Sequence, residues 1–177
     1  MKVVIVNGLP RAGKDQFVEF CKENLPQDCC CAYSSIDYVK EVARGLGWDG
    51  EKTPKNRRFL SDLKDALTRW NDIPMCKMAD EMRRFQNETP TPEDSFFFVM
   101  IREPEEIEKA AKAFNAISVI VQRDAAEGDQ SNHADENVFN YNYDYVISNN
   151  STLDELRNTA TTFIDAVRRD GKDAWIY

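Results

Sequence analysis

The residues best suited to chemistry stand near the start of the chain, where the spacing Gly-x4-Gly-Lys runs from Gly8 to Lys14. They come directly after the apolar run Val3–Val6, which is typical of a short buried strand. A loop between such a strand and a helix can turn its backbone N–H groups toward a phosphate. A simple turn would explain the glycines but not Lys14, because a cation opposes the dipole at a helix start. The spacing therefore predicts a phosphate-binding loop.

The residue after the lysine differs from the commonest form of such a loop. A Ser or Thr usually stands there and its hydroxyl contacts Mg²⁺, whereas this chain has Asp15. A carboxylate is a hard oxygen ligand that can hold Mg²⁺ directly or through water. Asp15 is therefore a candidate metal ligand.

The elements that must position this loop alternate between strand and helix, as a parallel sheet with crossover helices requires. Strands are predicted at Val3–Val6, Cys29–Ser34, Ser95–Ile101, Ile117–Val121 and Tyr145–Ile147. Helices are predicted after the loop, at Ser35–Gly45, from Thr53-Pro54 to Asn71, from Pro74, at Pro104 to about Phe114, and from a cap at Ser151–Asp154 to a stop at Gly171. The fold class is α/β, with a parallel five-stranded sheet.

The pattern also predicts how the chain is organised. No repeat or linker divides it, so residues 1–177 form one domain, with a helical insertion at about 35–90. Residues 123–143 are rich in Gly, Ser, Asn and acidic groups, which favours a mobile loop or lid. Trp70 continues the apolar spacing of Leu60, Leu63 and Leu67, and Leu153 joins the apolar face of the last helix.

Parallel sheets of this kind bind ligands at the carboxyl ends of their strands, so the residues after each strand are candidates for chemistry. After the phosphate loop come Ser35 and Asp37, then Arg102 and Glu103, then Arg123, and finally Ser148 to Asn150. The planar fork of arginine suits oxyanions, and phosphoryl transfer requires positive charge around the moving group. The strand ends therefore favour phosphate chemistry.

Charge and hydropathy exclude several classes of protein. The 23 basic and 31 acidic residues give a net charge of −8, which disfavours a nucleic-acid or anionic-membrane surface. No apolar run is long enough for a membrane span, and the apolar start is too short for a signal peptide. We expect a cytoplasmic protein that binds neither nucleic acid nor membrane.

The cysteines and the lone histidine point away from metal and disulfide chemistry. Cys29, Cys30 and Cys31 are consecutive, and in a strand they point to alternating faces, so they cannot converge on one tetrahedral ion. We expect reduced thiols that act as small core residues. The sequence has a single histidine, His133, which argues against a zinc site built from histidines and against Ser-His catalysis.

Three segments resemble a known family. They are the loop from Gly8 to Asp15, Ile101–Glu105 after the third strand, and Tyr143–Asn149 before the last helix. Together they are similar to the P-loop nucleotide kinases, above all the phage-type deoxynucleoside monophosphate kinases and the animal-type phosphomevalonate kinases, in which aspartate also follows the lysine. The resemblance implies a three-layer P-loop NTPase fold, with ATP and Mg²⁺ as cofactors.

It also implies roles for individual residues. ATP phosphates would be held by Gly8, Pro10, Arg11, Ala12, Gly13, Lys14 and Asp15. Asp37 and the basic group Lys55, Arg57 and Arg58 would lie near the acceptor, although Lys55 and Arg58 fit an exposed helix face equally well. Arg102 would grip the acceptor or the transferred phosphate, Arg123 would be the lid arginine, and Asn149 would pass beside the adenine. Lys14, Arg102 and Arg123 would be the catalytic residues.

The chain departs from this family in two places. Such kinases often carry an acidic residue at the end of the third strand, but Phe98–Ile101 holds none, so Asp15 or Glu103 would replace it. The lid offers only Arg123, which places more of the transition-state charge on Lys14 and Arg102. The stripe Met75, Met78 and Met82 fits either a helix core or an adaptable wall against a base.

The leading hypothesis is an ATP-dependent kinase that moves the terminal phosphoryl of Mg-ATP to a small phosphorylated acceptor, most simply a nucleoside or deoxynucleoside monophosphate. A kinase for a non-nucleotide phosphate is the rival within the same class. A catalytically weak ATP-binding regulatory protein is the rival from a different class. A monomer and a homodimer both remain compatible with the sequence.

Overall fold

A parallel sheet forms the centre of the molecule. In the computed structural model, which describes residues 1–126 and 137–170, its strand order is β2-β3-β1-β4-β5. The strands are β1 (Lys2–Asn7), β2 (Cys30–Ser34), β3 (Phe96–Met100), β4 (Ile117–Gln122) and β5 (Tyr145–Ser148), and every neighbouring pair is parallel. The predicted α/β class and five-stranded parallel sheet are confirmed, and each strand end agrees with its predicted bound to within about one residue.

Helices cover both faces of the sheet. They are α1 (Lys14–Lys22), α2 (Asp37–Gly45), α3 (Pro54–Asn71), α4 (Ile73–Glu88), α5 (Pro104–Phe114) and α6 (Leu153–Asp170). Thr53 caps α3 as predicted, because its side chain accepts the N–H of Asn56 at 3.2 Å. The predicted start of α2 at Ser35 was wrong: the Asp37 carboxylate accepts the N–H of Ser34 at 2.8 Å, which holds a turn before the helix.

Alternation along the strands divides the core into two layers. Val4 and Val6 pack with α1 and α6, whereas Val3 and Ile5 pack with α4 and α5. Met78 and Met82 are fully buried in the second layer, so these two methionines are core residues. The short helix α2 and α3 share a smaller cluster of their own around Val39, Ala43 and Leu60.

Two residues predicted to lie on apolar helix faces are exposed instead. Trp70 is 83% exposed, because it stands in the last turn of α3, where Asp72, with φ of 52°, turns the chain into α4. Leu153 is 63% exposed at the start of α6, one turn before the buried stripe begins at Leu156. The cap of α6 is Thr152, whose hydroxyl accepts the N–H of Glu155, and the predicted stop at Gly171 lies outside the described residues.

The thiols take the faces that strand geometry assigns to them. Cys30 packs against the layer of α1 and α6, and its successor Cys31 packs against the layer of α4 and α5. Cys29 precedes the strand and its sulfur lies 2.9 Å from the hydroxyl of Thr91. All five cysteines are free thiols, and burial raises the pKa of Cys30 to about 12.

None of the helices within residues 1–126 and 137–170 is long and apolar enough to cross a membrane.

Candidate active site at the carboxyl ends of the strands

The crossover connections open a crevice beside the central strand. Helix α1 leaves β1 toward one face of the sheet, and α5 leaves β3, the neighbour of β1, toward the other face. The carboxyl ends of β1 and β3 therefore border the place where an open parallel sheet binds its ligand. The predicted phosphate loop follows β1 here, and Arg102 follows β3.

The loop after β1 requires glycine at both ends. Gly8 has φ of 146°, and a Cβ at this position would stand 2.3 Å from the carbonyl oxygen of Val121. Gly13 has φ of 96°, and a Cβ there would stand 2.3 Å from the side-chain nitrogen of Asn149. The loop is thus pressed against the ends of β4 and β5, with no room for larger residues.

Lys14 folds back across the mouth of this loop. Its ammonium donates to the carbonyls of Gly8 and Leu9, each at 2.7 Å, and its side chain is half-buried. These bonds hold a positive charge inside the curve of the loop, where it can meet an anion. The glycines and the lysine that we identified in the sequence therefore belong to one loop, which the hydrogen bonds of Lys14 close.

The start of α1 adds a second attraction for an anion. The helix begins at Lys14, and its N-cap, Gly13, supplies no side-chain acceptor for the N–H groups of the first turn. Their partial positive charge faces the same side as the loop. Asp15 is exposed in this first turn, where the dipole stabilises its carboxylate.

Asparagines after β5 brace the loop and the end of β4. The side chain of Asn149 donates to the carbonyl of Ala12 at 2.9 Å, and its backbone N–H donates to Gln122 at 2.7 Å. The side chain of Asn150 both accepts from the N–H of Asp124 at 2.8 Å and donates to its carboxylate at 2.7 Å. Asn149 therefore lies against the loop after β1.

Sequence reasoning missed one buried residue at the centre of this site. Asn7, the last residue of β1, is fully buried, and its oxygen accepts the N–H of Gly8 at 2.8 Å. Its nitrogen donates to the carbonyl of Arg102 at 3.0 Å and to the hydroxyl of Tyr143 at 2.7 Å. The signal in the sequence was a polar amide closing an otherwise apolar strand, directly before the loop.

The other predicted site residues are distributed around this centre. Arg102 and Arg123 are exposed; Arg102 lies two residues after the end of β3, and Arg123 directly follows β4. The carboxylate of Asp37 lies at the start of α2. It forms an ion pair with Lys40 at 2.9 Å and accepts a hydrogen bond from the backbone N–H of Ser34. Lys55, Arg57 and Arg58 are exposed in the first turns of α3, and Arg58 lies 3.9 Å from Asp62. Residues 127–136 of the predicted lid lie outside the described residues.

A cavity of about 210 Å³ is lined in part by Ile101, the residue before Arg102. Its floor is apolar, with Pro74, Met75, Met78 and Ile101, and its rim is polar, with Ser35, Thr68, Asp72, Glu105, Glu106 and Lys109. Lys109 pairs with Asp72, and Lys64 pairs with Glu106 at 2.6 Å, so two of the three carboxylates are ion-paired. The arrangement suits a small ligand with an apolar side and hydrogen-bond donors.

The carboxylates of the site do not form a separate metal centre. Among the described residues, no group of three or more His, Cys, Asp or Glu side chains is placed to hold a metal ion. Residues Phe96–Met100 of β3 contain no carboxylate, in keeping with the sequence. A cation bound here would share the phosphates of a ligand with one or two side chains, and exposed Asp15 fits that need.

Burial makes the contribution of Tyr143 to stability depend on pH. Desolvation raises its pKa from 10.0 to about 12, so the phenol keeps its proton in the folded protein at a pH where the unfolded chain has lost it. The protonated Tyr143 phenol therefore makes its full contribution to the free energy of unfolding below about pH 10. This contribution is lost as the pH rises toward about 12. We expect the difference in unfolding free energy between wild type and Tyr143→Phe to shrink from about pH 9 to about pH 11. Urea unfolding at each pH checks this, and a constant difference would contradict it.

Comparisons with known proteins bear on the fold. No family model matches the chain, and no curated protein matches it. Among solved structures, it is similar to an unliganded sugar kinase from Janibacter sp., with 10% identity and a TM-score of 0.52 over 96% of this chain and 97% of that chain. An uncharacterized protein from Eubacterium ventriosum matches with 16% identity and a TM-score of 0.43, over 93% of this chain and 98% of that one. The first of these two structures shares the overall fold of the chain.

Proposed function

We propose that this protein is a P-loop kinase that transfers the terminal phosphoryl group of Mg-ATP to a nucleoside or deoxynucleoside monophosphate. The observation that carries the proposal is the closed loop after β1, in which Lys14 donates to the carbonyls of Gly8 and Leu9. This loop places a fixed positive charge beside a glycine-capped helix start. The kinase-like path of the chain supports the same conclusion.

The residues of the chain divide the work of such a transfer. Lys14 and the first-turn N–H groups of α1 would hold the ATP phosphates, and Asn149 would border the nucleotide from the end of β5. Arg102 and Arg123 would neutralise the charge that spreads over the transferred group. Bound Mg²⁺ would neutralise phosphate charge, and Asp15 would hold it directly or through water.

The cavity lined by Ile101 supports a location for the acceptor. Its apolar floor of Met75, Met78 and Ile101 suits the flat face of a base or the carbon side of a sugar. The phosphate of an acceptor in this cavity would point toward Arg102, which directly follows Ile101. The acceptor and the phosphate loop would then meet at the crevice between β1 and β3.

A non-nucleotide phosphate is a second candidate for the acceptor. The cavity of about 210 Å³ is small, and its carboxylates can accept hydrogen bonds from hydroxyl groups. The structure with the similar path is that of a sugar kinase. These two observations favour a phosphorylated sugar or alcohol over a large acceptor.

A screen of phosphorylated acceptors distinguishes these possibilities. Pure protein with Mg-ATP is offered nucleoside and deoxynucleoside monophosphates, sugar phosphates and phosphorylated alcohols, and ADP formation is measured. A response confined to nucleotides supports the first candidate, and one confined to sugars or alcohols supports the second. No ADP formation with any acceptor, together with a thermal shift by ATP alone, would contradict both and indicate a regulatory protein.

A thermal-shift comparison sharpens the screen. Two nucleosides joined through five phosphates occupy the donor and acceptor sites of a nucleotide kinase together. We expect this compound to raise the melting temperature more than ATP does, because it combines both sets of contacts. A shift no larger than that of ATP would count against a nucleotide acceptor.

Replacing Asp15 by serine tests the metal assignment. The carboxylate is exposed in the first turn of α1, so its removal leaves the core intact. We expect transfer to fall by roughly 10–100-fold, with more Mg²⁺ needed for half-maximal rate. Glu19→Ser on the same helix is the control, since Glu19 is exposed and pairs only with neighbouring Lys22 among the ion pairs described. Equal rates for Asp15→Ser and wild type would make the carboxylate incidental.

A further inference from the structure

The buried amide of Asn7 connects three segments that the chain brings together from far apart. Its oxygen accepts from Gly8 in the phosphate loop, and its nitrogen donates to Arg102 after β3 and to Tyr143 before β5. Arg102 is 95 residues away in the chain, and Tyr143 is 136 residues away. One side chain thus fixes the distance between the loop and the backbone that carries Arg102.

Tyr143 holds the orientation of that amide. Its hydroxyl accepts from Asn7 at 2.7 Å and donates to the carbonyl of Val138 at 2.8 Å, so both hydrogen-bonding roles of the phenol are used. Its ring packs against the cluster that contains Leu9 and Ala12 of the phosphate loop. The tyrosine is therefore linked to the loop in two ways, through this apolar cluster and through Asn7.

We infer that Asn7 and Tyr143 are positioning residues, which set the phosphate loop and the Arg102 backbone at the spacing that phosphoryl transfer needs. The inference rests on the proposed function for its catalytic consequence. An amide with two donors and one acceptor can serve three segments at once, which an aliphatic residue of similar size cannot do. The effect of Asn7 and Tyr143 on the rate passes through Gly8 and Arg102, where a small misplacement lowers the rate steeply.

Tyr143→Phe is the test, and Tyr141→Phe is its matched control. Phenylalanine keeps the ring packing and removes only the hydroxyl that orients Asn7. Tyr141 lies beside it, with ring centroids 5.0 Å apart, but the hydroxyl to which Asn7 donates is that of Tyr143. Each variant is measured for kcat, for the KM of ATP, and for hydrogen exchange of the Gly8 amide.

We expect Tyr143→Phe to lower kcat about tenfold, with the KM of ATP changed by less than about twofold. The Gly8 amide should exchange about tenfold faster, because the Asn7 amide that accepts from it keeps its bond to Arg102 but loses its bond to Tyr143. Tyr141→Phe should change neither quantity. If Tyr143→Phe lowers the melting temperature but leaves kcat and the exchange of the Gly8 amide unchanged, the hydroxyl has a purely structural role and the inference is overturned.

The exchange measurement keeps the inference separate from the proposed function. If wild type transfers phosphate to no acceptor, the proposed function fails, and the Gly8 amide still reports whether Tyr143 positions the loop. Unchanged exchange in Tyr143→Phe overturns the inference whatever the activity. Asn7→Ala is a second variant: the double variant should be little more affected than Asn7→Ala alone, because Tyr143 acts on the loop through Asn7.

Discussion

Replacing Lys14 by alanine is expected to lower the rate of phosphoryl transfer by about 10²–10³-fold, because it removes the fixed positive charge from the mouth of the loop. The ammonium lies 2.7 Å from two loop carbonyls and belongs to no buried core cluster, so the fold should survive its loss. ADP formation with the acceptor found in the screen measures the rate. Circular dichroism and the melting temperature confirm the fold.

Lys22→Ala is the matched control for this change. Lys22 stands on the same helix and pairs with Glu19 at 2.7 Å, away from the loop. It removes the same charge from the protein, so a general effect of net charge would appear in both variants. Equal activity of the Lys14 and Lys22 variants would contradict the phosphate-binding role of Lys14 and with it the proposed function.

Replacing Gly8 by alanine should have the largest effect on the architecture of the site. The new Cβ would stand 2.3 Å from the backbone oxygen of Val121, at a φ of 146° that side-chain-bearing residues rarely adopt. Neither the β4 backbone nor the loop can yield without breaking the sheet end, so strain and overpacking add together. We expect a loss of about 3–5 kcal/mol in unfolding free energy from these two effects, and no measurable binding of ADP.

Gly47→Ala separates the two effects. Gly47 also has a positive φ, 96°, but a Cβ there meets nothing within 4 Å. Only backbone strain opposes this substitution, which should cost about 1–2 kcal/mol and leave ADP binding unchanged. Denaturant unfolding and calorimetric titration with ADP check both variants. If Gly8→Ala destabilises no more than Gly47→Ala, the loop is not pressed against β4 as the structure has it.

Features that depend on neighbours in the chain could be predicted from the sequence. The apolar runs at Val3–Val6 and Ile117–Val121 became strands β1 and β4, and Thr53 caps α3. The loop between Gly8 and Lys14 follows the same principle, because glycine spacing and the order strand, loop, helix are local properties. Its predicted role in binding ATP stays a prediction that the Lys14 and Gly8 variants test.

Features that depend on residues far apart in the chain could not be predicted from the sequence. Periodicity placed Trp70 on an apolar face, yet it is 83% exposed, since burial at a helix end depends on which element lies beside it. The sequence showed Asn7 only as a polar residue ending a strand. Its role required Arg102 and Tyr143 to arrive beside it from other strands.

The sequence by itself determined the order of strands and helices, the parallel sheet and the position of the loop that begins at Gly8, because each follows from local periodicity and backbone preference. Only the tertiary structure decided that Asn149 would brace this loop and that Asn7 would tie it to Arg102 and Tyr143. These contacts join residues 95 to 137 positions apart, and a side chain acquires such partners only when the sheet has brought the strand ends together.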